Sequence, residues 1–164
     1  MKLLLTILFV TMTAGCATAP APLPSAGVPV ATQAGVIHYK EYFAWPVRGS
    51  ILAPFGSKVD NVINKGIDIR VREGSSVLAA RSGRVVYCDS HLKGFGKTII
   101  IDHGEGLQTV YSYNSDILVN VGASVARHET IARAGRTGRA KEPSLHFEVR
   151  KDGEPQNPLY YLPR

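Results

Sequence analysis

Asn64-Lys65-Gly66-Ile67-Asp68, Tyr111-Ser112-Tyr113-Asn114 and Ser144-Leu145-His146-Phe147-Glu148 each set polar residues among β-branched or aromatic ones. Alternate residues of a strand share a face. Asn64, Gly66 and Asp68 are therefore expected to point one way, Tyr111 and Tyr113 one way, and Ser144 and His146 one way. Three such faces can build the floor of a cleft.

The sequence around these stretches is strand-like. Ser76-Val77-Leu78-Ala79-Ala80, Arg84-Val85-Val86-Tyr87, Thr98-Ile99-Ile100-Ile101 and Thr109-Val110-Tyr111-Ser112-Tyr113 are short apolar or β-branched runs. Gly74, Gly83, Gly94, Gly96, Gly104 and Gly106 punctuate them. No segment of helix length carries a helical apolar stripe. The expectation is an all-β sandwich or barrel over residues 42–164. Gly74-Ser75-Ser76-Val77 is echoed by Gly122-Ala123-Ser124-Val125, which suggests a duplicated β unit with the two copies face to face.

What precedes this domain differs in composition. Met1–Cys16, MKLLLTILFVTMTAGC, has a basic start and a short apolar run. The run is below the ~20 residues a membrane-spanning helix needs, so it reads as a secretory signal. Thr13-Ala14-Gly15-Cys16 resembles a lipobox, with Cys16 the lipidated residue and residues 1–16 the signal peptide. Ala17, where inner-membrane lipoproteins often carry Asp, implies the outer membrane, facing the periplasm. Residues 17–41 are rich in Pro and Ala and read as a disordered linker. Cys88 then has no partner in the chain and is expected to be buried. The net charge of +6 is modest and suits an acidic envelope setting. No nucleic-acid motif is present, and nucleic acid is not an expected partner.

The ordered set of motifs resembles the LytM/lysostaphin-type metallopeptidases, peptidase family M23. The pattern there is His-x-Gly-x-Asp, then Tyr-x-His, then His-x-His before Phe-Glu. Gly83-Arg84-Val85-Val86-Tyr87, Gly94-Phe95-Gly96, Ile99-Ile100-Ile101-Asp102-His103 and Asn157-Pro158-Leu159 add to the likeness, which covers roughly residues 45–163. The resemblance implies zinc held by the first His, the Asp and the last His, with the other two histidines serving proton transfer and oxyanion stabilisation. In this chain those positions are Asn64, Asp68 and His146 for the metal, and Tyr113 and Ser144 for the catalytic pair. Two ligands of three survive and neither catalytic histidine does. The expectation is therefore no cofactor, no catalytic residue, and vestigial ligands Asp68 and His146 that hydrogen-bond across the old cleft. His91, His103 and His128 read as surface or turn residues.

A lipobox, a Pro-rich tether and a degenerate domain starting Asn-Lys-Gly-Ile-Asp resemble the NlpD-type lipoproteins. That resemblance implies an activator of N-acetylmuramoyl-L-alanine amidases in peptidoglycan hydrolysis and daughter-cell separation. The old groove, with Asn64, Lys65, Asp68, Tyr113, Arg136, Arg139, Ser144 and His146, would be the partner-binding surface, and Lys141 would add to a basic rim. Membrane contact would be through the lipid anchor, with peptidoglycan a second candidate partner. The alternatives are a non-catalytic peptidoglycan-binding module and, less favoured, a residual zinc endopeptidase. A lipoyl- or biotinyl-type carrier is disfavoured because no exposed hairpin lysine motif is present.

Overall fold

The computed structural model describes residues 43–164. The signal segment, Cys16 and the 17–41 linker lie outside the described residues. The domain is all-β, with one short 3-10 turn at Pro158–Tyr160 among the described residues. Its strands are β1 (Ser50–Ala53), β2 (Lys58–Val59), β3 (Val62–Ile63), β4 (Ile67–Arg70), β5 (Ser76–Leu78) and β6 (Gly83–Asp89). They continue with β7 (Lys97–Asp102), β8 (Leu107–Ile117), β9 (Ser124–Val125), β10 (Thr130–Ala134), β11 (Ser144–Lys151) and β12 (Glu154–Gln156).

The long apolar runs of the sequence become the centre of one sheet, in the order β1-β4-β11-β8-β7-β6-β9. All of its ladders are antiparallel, and β10 joins β5 to β8. Ile67 and Ile69 on β4, Ile99 and Ile101 on β7, and Leu145 and Phe147 on β11 are fully buried. Their alternation in β4 and β7 gives one core-facing side per strand. Val77, Ile131 and Ala132 close the core from β5 and β10. Gly66 permits the tight approach of β4 to β11, because a Cβ there would stand 2.2 Å from the Phe147 carbonyl oxygen.

The sequence echo is visible in the fold. Gly74 and Gly122 both have positive φ, and each leads into a short strand with a buried valine, Val77 or Val125. The ladders of the two units run into one hydrogen-bonded sheet through β10 and β6. Cys88 is placed differently from expectation. It is half-buried, packed against the edge of the core, because β6 lies near the sheet margin with the two-residue β9 as its outer neighbour among the described residues.

A second, two-stranded sheet is missing from the sequence reading. Strands β2 and β3 pair through Lys58–Ile63 and Val59–Val62. Asp60 and Asn61 both have positive φ, 47° and 63°, the conformation of a type I′ hairpin turn. The hairpin leaves Val59, Val62 and Ile63 exposed.

Candidate functional site

Three strands bring the polar row together. Asp68 of β4 is the Cα partner of His146 of β11, and His146 is the partner of Ser112 of β8. The His146 ring is almost fully buried and spends both nitrogens on carboxylates. Nδ1 lies 2.6 Å from Asp68 Oδ1, and Nε2 lies 2.9 Å from Glu148 Oε1. Glu148, fully buried, also accepts from Arg150, at 2.7 Å from Nε. Burial opposes the charged form of His146, but the hydrogen bonds to Asp68 and Glu148 outweigh it and raise its pKa. Burial would likewise raise the pKa of Glu148, yet His146 and Arg150 hold it low. The chain Asp68–His146–Glu148–Arg150 is thus a hydrogen-bonded line of alternating acidic and basic side chains across the floor of the groove.

Asn64 sits in the turn before β4, three residues ahead of the strand's first residue. Its side chain is committed to backbone groups. Nδ2 donates to the Ala53 carbonyl at 3.2 Å, and Oδ1 accepts from the Gly66 N–H at 3.1 Å. Ser144 donates to the Glu142 carbonyl at 3.0 Å. Both residues line the groove as capping and bracing groups.

Strand parity fails at the tyrosines. Tyr111 lies in the core against Phe147, and its hydroxyl is 2.9 Å from the Ala80 N–H. Tyr113 instead faces the groove, its ring centroid 5.4 Å from that of His146. The cause is an irregularity in the β7–β8 ladder between Lys97 and Ile99, opposite Tyr113, whose φ is +71°. That backbone kink turns Tyr113 onto the same side as Ser112. Burial, then the Asp68 charge, raises the Tyr113 pKa against the opposing effect of Arg139.

The groove has two lobes of about 240 and 250 Å³. The hairpin residues Val62 and Ile63 and the side chain of Arg139 line both. Lys65 lies on the lobe that contains His146, and Lys141 on the lobe that contains Asp68 and Tyr113. Arg139 stacks over Phe95 at 5.7 Å, and Phe95 meets His146 edge-on at 5.5 Å. Lys141 reaches across to Asp60 at the hairpin tip, 2.7 Å away. Of the eight groove positions expected from sequence, Asn64, Lys65, Asp68, Tyr113, Arg139, Ser144 and His146 line it, whereas exposed Arg136 lines neither lobe. The apolar hairpin, Phe95, Glu148 and Arg150 were not anticipated. The Val-Asp-Asn-Val run could have signalled the hairpin.

His91 is ion-paired with Asp89 at 2.7 Å and largely exposed. His103 bonds the Ser82 carbonyl and Thr109, and His128 lies in an exposed turn. None lines the groove. A tetrahedral zinc needs donors about 2.0–2.2 Å from the ion, so two of its donors sit roughly 3.3 Å apart. Asp68 and His146 are closer than that, in direct hydrogen-bond contact, and Asn64 turns its amide to the backbone. The residues present do not fit a zinc site.

The β scaffold gathers an Asp, a His-x-Glu strand and a Tyr at one groove. The model of peptidase family M23 matches residues 62–158, more than half of the chain, and the chain belongs to that family. The lipoprotein NlpD/LppB homolog of Pseudomonas aeruginosa is 43% identical over 122 residues, 74% of this chain and 40% of that protein. The murein hydrolase activator NlpD of Escherichia coli is 39% identical over 120 residues, 73% of this chain and 31% of the other. The chain therefore spans less than half the length of these curated relatives. Among solved structures, a zinc-containing peptidase from Vibrio cholerae superposes with a TM-score of 0.68 at 30% identity, over 74% of this chain and 41% of that one. Both the LytM-type fold and the likeness to NlpD-type proteins expected from the sequence are met.

Proposed function

We propose that this chain is a non-hydrolytic LytM-domain lipoprotein that activates N-acetylmuramoyl-L-alanine amidases and so promotes peptidoglycan hydrolysis in daughter-cell separation. The observation that carries the reading is the direct 2.6 Å contact between Asp68 and His146, which occupies the space and the ligand atoms a zinc would use. Asn64, Tyr113 and Ser144 stand where the other histidines of the family pattern belong. What remains is a concave surface with apolar walls at Val62 and Ile63 and cations at Lys65, Arg139 and Lys141. Such a groove suits a peptide segment with apolar and acidic side chains. Relatives that carry the name murein hydrolase activator support the same reading. Activation requires only that the groove bind the open form of the amidase better than the closed one.

The chain is placed, on this reading, at the outer membrane facing the periplasm, with residues 1–16 removed, Cys16 lipidated, residues 17–41 as tether and 42–164 as the working domain. Release of dye from labelled peptidoglycan tests the function. The protein alone should release none, and it should accelerate release by an envelope amidase several-fold. Failure to stimulate any envelope amidase would sink the proposal. Cys16→Ala should move the protein out of the membrane fraction, and unchanged fractionation would remove the anchor.

A further inference from the structure

A second concavity, sharing no lining residue with the groove, lies where the chain enters the domain and meets β5 and the turn between β9 and β10. It measures about 780 Å³, and its lining includes Trp45, Arg48, Leu78, Arg127, His128 and Pro163. Main-chain bonds fix its walls. Ala44 N–H donates to the Ala80 carbonyl at 2.7 Å and Leu78 N–H to that of Pro46 at 2.8 Å. The 126–129 turn is pinned to Ala79 by two bonds, His128 N–H to the Ala79 carbonyl and Ala79 N–H to that of Glu129. The indole N–H of Trp45 lies 3.0 Å from the Pro163 carbonyl.

The charge on this cavity is one-sided. No acidic side chain lines it. The nearest acid in sequence, Glu129, turns its carboxylate back onto the Ala126 N–H at 2.8 Å. Arg48 and Arg127 are exposed and, among the described residues, have neither an ion pair nor a hydrogen-bond partner. A third guanidinium, Arg133, bonds the lining residue Ser76 at 2.6 Å. Trp45, Leu78 and Pro163 supply apolar surface to the same concavity.

We propose that this cavity docks the domain on a phospholipid surface by binding anionic headgroup phosphates. The planar fork of a guanidinium matches a pair of phosphate oxygens. Tryptophan is the residue that settles at headgroup level, its ring in the apolar region and its N–H satisfied, and Trp45 already has its N–H bonded. The preformed walls limit the ordering cost of binding. The position of the cavity favours the same occupant. Residues 17–42 join the domain at Phe43, two residues from Trp45, so a tether from an acylated Cys16 delivers this face to the bilayer at high effective concentration. That tether rests on the anchor proposed above, whereas the headgroup chemistry rests on the cavity alone. A few basic contacts bind reversibly and are screened by salt, so the docking supplements an acyl anchor and does not replace it. Headgroups and a groove partner use different side chains.

The test is co-sedimentation of residues 17–164 with lipid vesicles. Omitting residues 1–16 removes both the acyl chains and the apolar run, and residues 43–164 enclose a core of their own. The protein should pellet with phosphatidylglycerol–phosphatidylcholine vesicles and stay in solution with phosphatidylcholine alone. Each basic contact at an anionic surface contributes roughly a factor of five. Arg48→Glu/Arg127→Glu should therefore weaken binding by about twenty-fold or more, with circular dichroism unchanged. The matched reversal Arg72→Glu/Lys93→Glu, at exposed positions lining neither the groove nor this cavity, should pellet like the unmodified protein. Trp45 is the only tryptophan of the chain, and its emission should shift to the blue with the anionic vesicles. Pelleting without that shift would put the contact on another face and overturn the site, as would equal losses in the two charge-reversed pairs. No pelleting with anionic vesicles would overturn it as well, and so would an emission shift with purified sacculi alone. Amidase stimulation is read separately, so its absence would sink the proposed function and leave the vesicle result standing.

Discussion

Asp68 and His146 are joined directly, carboxylate oxygen to ring nitrogen, at 2.6 Å. The same two side chains would have to separate by roughly 0.7 Å to admit a tetrahedral zinc between them. Nothing at Asn64 would offset that separation, because its amide is already bonded on both sides. The purified protein is therefore expected to hold less than a tenth of an equivalent of zinc by elemental analysis, and to clear no peptidoglycan in a zymogram. Clearing that disappears in both Asp68→Ala and His146→Ala would show that the site works as a peptidase.

His146 also has a structural duty. Glu148 is fully buried, and its charge is met by His146 and Arg150 alone among the described residues. Removing one member of a buried ionic group leaves the others uncompensated, at a cost of about 3–5 kcal/mol. His146→Leu should lower stability in urea by that amount. His146→Leu/Glu148→Leu should recover a large part of it, because the double change removes the stranded carboxylate. A loss below about 1 kcal/mol for the single variant would mean that the network is energetically idle.

Tyr111 gives a pH signature at the other side of the sheet. Its phenol is fully buried, and burial raises its pKa from 10.0 to about 12 despite the opposing bonds to Thr109 and Ala80. The folded state then binds more protons than the unfolded state between those values. Stability is fully present below pH 10 and falls as pH rises toward 12, by about 2–3 kcal/mol. Tyr111→Phe should cost about 1–3 kcal/mol near neutral pH, since the Ala80 N–H loses its partner. It should also flatten the alkaline decline. Parallel pH curves for the two proteins would contradict this assignment.

Much of the site could be read in the chain because strand pairing is periodic. His146 and Asp68 fall in register once β4 and β11 pair, and the all-β class follows from the short glycine-bounded runs. Tyr113 could not be placed by the same rule. One kinked residue reverses strand parity, and that kink depends on a tertiary contact, the Tyr113 N–H bonding to the Phe95 carbonyl. Arg136 was misplaced for a related reason. Proximity in sequence to Arg139 says nothing about which side of a turning loop a side chain takes. The hairpin over the groove is too short to show a period, and only its Asp60-Asn61 turn carries a local signal.

That hairpin shapes the last prediction. Arg139 is the cation both lobes share, and it is held in place rather than free. Its guanidinium stacks on Phe95, which in turn packs against His146. A partner carboxylate entering the groove would meet a preoriented cation flanked by Val62 and Ile63, so little ordering remains to be done on binding. Arg139→Glu should cut amidase stimulation at least ten-fold, and Tyr113→Ala several-fold, with both proteins folded by circular dichroism. Arg136→Glu should retain most of the stimulation, because Arg136 lines neither lobe. The contrast between the two arginines separates a docked contact from general attraction. Raising salt weakens long-range steering, so equal, salt-sensitive losses in both variants would argue for steering alone. Full stimulation by Arg139→Glu and Tyr113→Ala together would place the amidase on another surface of the domain.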